Sequence, residues 1–83
     1  MYKVYILRCQ LDSRKSYVGL TTKEVQERLK EHNDGDTQST KAFRPWEVNY
    51  FELFYCKLCA EKRETFLKSG FGFRLRKLII QNF

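Results

Sequence analysis

Tyr17, Arg28, His32 and Glu64 are the side chains of this sequence whose types, taken together, suit attack on a phosphodiester. That reaction needs a positioned water, a base to take its proton, a cation against the crowded negative charge and usually a divalent metal. A phenol or an imidazole can be the base, a guanidinium the fixed cation, and a carboxylate the metal ligand. Arg28 and His32 lie four apart in YVGLTTKEVQERLKEH, so on a helix they share one face. Each residue also has a plain structural reading. Arg28 can make a salt bridge, His32 can be a satisfied half-buried histidine, and Glu64 can pair with Arg63 or Lys68.

Three cysteines, Cys9, Cys56 and Cys59, are an odd number and argue against a disulfide framework. Cys56-Lys57-Leu58-Cys59 has C-x-x-C spacing, which also occurs in zinc sites and redox dithiols. Zinc would need two more ligands, and only Cys9 and His32 are at hand for that adaptor-like reading. The favoured reading is small buried hydrophobes where a strand meets a helix.

The elements that must position these groups follow from the pattern. Residues 2–9 (YKVYILRC) are apolar on both faces, as in a central strand. A polar turn over 10–15 and a second strand over 16–20 complete a hairpin. Thr21-Thr22-Lys23-Glu24 fits a capping box opening a helix that runs to about Asn33, where Asp34-Gly35-Asp36 stops it. With Val25 at zero on that helix, Leu29 falls near 40°, His32 near −20° and Arg28 near −60°, at roughly 100° per residue. Arg28 therefore flanks the apolar stripe, able to bury its stem there. Residues 37–46 form a polar, basic loop with the single proline, 47–55 a third strand and 57–69 a second helix closed by Gly70. On this helix, with Cys59 at zero, Glu64 falls near 140°, at the margin of the apolar face. A short third helix follows from Phe71. The expected class is α+β, a three-stranded antiparallel sheet flanked by helices, in one domain spanning 1–83.

The 83 residues carry 16 Lys and Arg against 10 Asp and Glu, a net charge of +6. From Lys57 onward seven basic residues face two acidic ones, so the surplus sits in the C-terminal third. Such a surface attracts polyanions, chiefly through phosphates. Candidate contacts are Lys41 and Arg44 in the basic loop, Lys68, and Arg74, Arg76 and Lys77. No run of about 18 apolar residues suggests a membrane span, no basic segment has a clean apolar face, and nothing resembles a secretory leader. A cytoplasmic protein is the expectation.

Val4-Tyr5-Ile6 and Tyr17-Val18-Gly19, followed by Arg28, His32 and Ala60-x-x-x-Glu64, resemble the motifs of the GIY-YIG nucleases in order and spacing. Arg63 to Gly70 (RETFLKSG), Glu31-His32-Asn33 and Pro45-Trp46 are similar to the small stand-alone members, and the resemblance covers nearly the whole chain. Val4 stands where the first glycine of the name motif would be, and Phe71-Gly72-Phe73-Arg74 departs from the expected Gly-Arg. The resemblance implies a DNA endonuclease that uses Mg²⁺ or Mn²⁺ and no small-molecule cofactor. It implies Glu64 as metal ligand, Tyr17 as general base with His32 its rival, Arg28 against transition-state charge, and Tyr5 and His32 hydrogen-bonding around the phosphate. Tyr5 and Tyr17 should then leave the sheet on one side, which needs a register such as 7 opposite 17. One active site should nick one strand at a time, so double-strand cutting would take a homodimer, and a partner protein could supply target choice. The alternative is a non-catalytic nucleic-acid-binding module on the same scaffold.

Overall fold

A computed structural model describes residues 1–82 and shows why the first strand is apolar on both faces. β1 (Tyr2–Cys9) is the middle strand of a sheet ordered β2-β1-β3, with β2 at Ser16–Thr21 and β3 at Trp46–Phe54. Both pairings are antiparallel. Because successive side chains leave on opposite faces, the even residues Val4 and Ile6 pack with Val18, Ala60, Leu67 and Ile79. The odd residues Tyr5, Leu7 and Cys9 pack with Val25 and Trp46. The hairpin register sets Leu7 opposite Tyr17 and Tyr5 opposite Gly19, as expected, so both phenols leave on the odd face. In β3 the pairing slips between Ile6 and Leu7, and the bulge turns Val48 onto the odd face against Leu7.

The odd face is covered by α1 (Val25–Asn33) and the four-residue α2 (Gln38–Lys41). The expected capping box does not form. α1 starts at Val25 with Glu24 as its N-cap, while Thr21 Oγ1 accepts from Lys23 N at 3.0 Å. The cause lies in β1: Lys3 Nζ donates to the carbonyls of Thr22 and Lys23, at 3.4 and 2.9 Å, and holds those two residues outside the helix. The 37–46 segment is likewise no plain loop. Asn33 clamps its end through two bonds with the Trp46 backbone, 2.7 Å to the N–H and 3.0 Å to the carbonyl. The Trp46 indole N–H reaches the Thr40 carbonyl at 2.8 Å, which pins α2 over the sheet.

The even face is covered by α3 (Lys57–Lys68) and α4 (Gly70–Asn82), the latter longer than the short helix expected. α3 buries Ala60 and Leu67, not Cys59 or Phe66, so its buried stripe is turned about 90° from a Cys59-centred one. Cys56 and Cys59 are exposed and only Cys9 is buried, which overturns the reading of the C-x-x-C pair as core. α4 lies hard against the end of α3 at Gly72, where a Cβ would stand 1.7 Å from the Phe66 carbonyl oxygen. Only glycine lets the two backbones approach that closely. Among the described residues no helix is long and apolar enough to cross a membrane.

Candidate active site

The site is assembled at the β2 edge, and its centre is the buried phenol of Tyr5. From the middle strand the ring lies across β2 at Gly19, where a Cβ would stand 2.3 Å from the Tyr5 oxygen. The space over Gly19 is thus filled by Tyr5 and is not open to an incoming phosphate. The phenol oxygen is 2.8 Å from His32 Nε2 and receives Arg28 Nε–H at 3.3 Å.

His32, fully buried, is fixed from behind by Thr40, whose Oγ1 lies 2.8 Å from Nδ1. Thr40 Oγ1 gives its own proton to the Thr37 carbonyl at 3.3 Å, so it can only accept from His32. Nδ1 then carries the imidazole proton and Nε2 accepts the Tyr5 hydroxyl. The chain of donors runs from Arg28 to Tyr5, His32, Thr40 and Thr37. Burial pushes the Tyr5 phenol up to about 12, against the pull of Arg28, and the Tyr17 ring and Glu64 raise it further. Burial also lowers His32, helped by the Arg28 cation. Both groups are neutral at pH 7 and neither meets bulk water.

Arg28 is held to one position. Its Nη1 donates to Glu31 at 2.7 Å and its Nη2 to Thr37 Oγ1 at 3.4 Å. The bond to Glu31, with Tyr5 behind it, keeps the guanidinium charged despite partial burial. Glu31 is shared with Lys23, which lowers its carboxyl first, with Arg28 second. Of the five N–H groups of an arginine, three have partners among the described residues, and the other two can serve an anion. Lys23, Arg28 and Lys57 line one open cleft together with Tyr2 and Glu31.

Tyr17 is half-buried, 6.4 Å from Tyr5 and 5.1 Å from His32 between ring centroids. Among the described residues its hydroxyl makes no hydrogen bond, unlike that of Tyr5. Lys68 Nζ stands 5.8 Å from the Tyr17 ring centroid and bonds Glu64 Oε2 at 3.2 Å, which ties α3 to this edge. Arg63 pairs instead with Glu52, so of the two cations expected beside Glu64 only Lys68 is there. Tyr5, Tyr17, Arg28 and His32 therefore meet, from β1, β2 and α1, and Glu64 joins them from α3 through Lys68. Thr37, Thr40 and the Asn33–Trp46 clamp were missed, because their contacts span segments that no local pattern links.

The basic candidates divide. Arg44 is spent on its own loop, donating to the Lys41 and Asn33 carbonyls, while Lys41 is exposed. Arg74 is exposed away from the site beside Phe71. Arg76 and Lys77 line a cleft of about 490 Å³ between the hairpin turn and α4, with Arg8, Arg14, Ser16 and Phe73. Arg76 lies over the Phe73 ring, 5.0 Å from its centroid, and burial alone lowers its pKa.

Glu64 offers one hard oxygen ligand, with Oε1 bonded to no described residue. Among the described residues no three His, Cys, Asp or Glu side chains gather into a metal cage. One carboxylate plus waters and substrate oxygens suits magnesium, which seldom uses an all-protein cage. A zinc site at the cysteines fails on its donors. Cys9 lies in the odd-face core and both His32 nitrogens are engaged.

A three-stranded sheet with a buried tyrosine crossing a glycine, a guanidinium and a lone helical carboxylate is the framework of a nuclease-type domain. The GIY-YIG catalytic domain matches residues 1–77, and the chain belongs to that family. It is 38% identical to a UPF0213 protein of Clostridium perfringens over 69 residues, 82% of this chain and 71% of that one. A UPF0213 protein of Haloquadratum walsbyi is 37% identical over 67 residues, 80% of this chain and 72% of its own. No solved structure gives a significant match.

Proposed function

We propose that this chain is a single-domain, cytoplasmic, divalent-metal-dependent endonuclease that nicks DNA in its repair or processing. The observation that carries the reading is the meeting of Tyr17, Arg28 and Glu64 around a neutral, fully bonded Tyr5–His32 pair. Glu64 would hold Mg²⁺ or Mn²⁺, which when bound supplies Lewis-acid charge at the scissile phosphate and the leaving oxygen. Arg28 turns its two remaining N–H donors to the phosphate as negative charge builds. Tyr17, whose hydroxyl is bonded to no described residue, would act as base in its phenolate form, taking the proton of the attacking water and becoming the neutral phenol. His32 is a poor direct base, because it is walled from water and both its nitrogens are bonded. It and Tyr5 act as positioning residues that hold Arg28 Nε. Arg76 and Lys77 grip the phosphates outside the site, with Lys68 and Lys41 nearer the rim.

The deciding experiment is nicking of supercoiled plasmid with Mg²⁺ or Mn²⁺ by the native chain and by Glu64→Gln. Cleavage should fall by ~10³-fold or more with DNA binding and melting temperature kept, and Arg28→Ala should cost ~10²–10³-fold. A Glu64→Gln protein that nicks at the native rate would refute the assignment. Native protein that binds DNA and never cuts it would point to a binding module on the same scaffold.

A further inference from the structure

The C-x-x-C pair has no part in this chemistry, yet its placement is specific. Cys56 is the N-cap of α3, and its Sγ accepts the Cys59 backbone N–H at 3.3 Å. The sulfur of the first cysteine therefore already lies over the main chain of the second. Both thiols are exposed while Cys9 is sealed in the core. From this geometry we infer that Cys56 and Cys59 form a redox-active dithiol that exchanges with small-molecule disulfides.

Thiolate is the attacking species, and it forms most readily at a helix N-terminus near cations. Cys56 has both advantages. Its thiol is held below the usual range first by the Cys59 thiol, then by the Cys59 backbone N–H, with Lys62 adding to the effect. The same contact pushes Cys59 up, which casts it as the resolving partner. In the first step the Cys56 thiolate attacks a low-molecular-weight disulfide, forming a mixed disulfide and releasing one thiolate. In the second, Cys59 gives up its proton and attacks the Cys56 sulfur, releasing the other thiol. The net change is two protein thiols and one disulfide giving one protein disulfide and two small thiols. Nothing in the exchange depends on metal binding or on cleavage.

The test uses the folded chain and oxidised glutathione. Native protein should lose two free thiols and two hydrogens in mass, with a Cys56–Cys59 bridge in the peptide map, and dithiothreitol should restore it. Cys9 should stay reduced until urea unfolds the chain. Cys59→Ser should accumulate a glutathione adduct on Cys56, and Cys56→Ser should form its adduct at Cys59 ~10-fold more slowly. A bridge that appears only in urea overturns the inference. So does equal reactivity of the two single variants, or a stable adduct on the native protein in place of the internal bridge.

Discussion

Against α3 and α4 the sheet buries Val4, Ile6 and Val18 under Ala60, Leu67 and Ile79, with no polar side chain among these fully buried groups. Against α1 and α2 it buries Tyr5, Leu7 and Cys9 beside His32 and Thr40, the two buried polar residues among those described. The first layer is held by area removed from water, which is non-directional and tolerates small shifts. The second is held by hydrogen bonds whose partners must stand in place, since a buried donor without one is costly. One face gives the molecule its stability and the other gives one side chain its aim. Glu64 is the link between them, because the helix that seats Leu67 in the apolar layer also delivers the carboxylate to the polar edge.

Lesions on the two faces should therefore be told apart by what they damage. Leu67→Ala, at a site with no exposure, should cost ~2–5 kcal/mol in chemical denaturation through lost transfer energy and a cavity. Well below the lowered melting temperature its cleavage rate should stay native. A rate falling in step with stability would show that the faces are not separable.

Gly19→Ala should do the reverse. The new methyl meets a ring that is walled in and bonded at its oxygen, so Tyr5 must move and drag Arg28 with it. We expect ~1–3 kcal/mol of destabilisation from overpacking. Cleavage should fall ~10²-fold or more, the cost of a misplacement of about 1 Å. Native turnover in this variant would mean that Tyr5 does not position the site.

Thr40→Val removes the acceptor for His32 Nδ1–H while keeping the volume. A stability loss of ~1–3 kcal/mol is expected from the orphaned donor, with a smaller loss of rate than at Gly19. An unaltered melting temperature would show that another group takes the imidazole proton.

The smallest effect is on pH dependence. Burial, then Arg28, holds native His32 below its usual 6.5. As pH falls through 6.5 the unfolded chain binds a proton that the native chain refuses, so stability declines until native His32 itself titrates. Depressed carboxylates such as Glu31 and Glu52 add their own loss only at lower pH, as their ordinary value is 4.5. Melting followed from pH 8 to 5 should show the decline beginning near 6.5, and His32→Gln should lack that first component.

The sequence disclosed the architecture because β1 is apolar on both faces and the 7–17 register follows from side-chain alternation alone. It disclosed the angular position of Arg28 for the same reason, since Val25, Leu29 and His32 define one stripe. It misled where a distant side chain overrode a local rule. Thr21–Glu24 reads as a capping box, and only Lys3, nearly twenty residues away, shows why the helix waits until Val25. The C-x-x-C pair looked like core because cysteines usually are. The rotation of α3 is set by Ala60, Leu67 and the pressure of α4, which periodicity does not report. Thr40 was invisible for a related reason: a threonine in a polar loop gains meaning only once Trp46 and Asn33 fold α2 back over His32.

The passage of the Tyr5 ring over Gly19 ties two positions fourteen residues apart into one heritable character. A methyl at 19 is admissible only if the ring at 5 shrinks, and a smaller ring at 5 opens a void that only bulk at 19 would fill. Drift through single changes is thus blocked from either side, and descendants of this chain should either keep both residues or abandon both together, losing the hold on Arg28 in the same step.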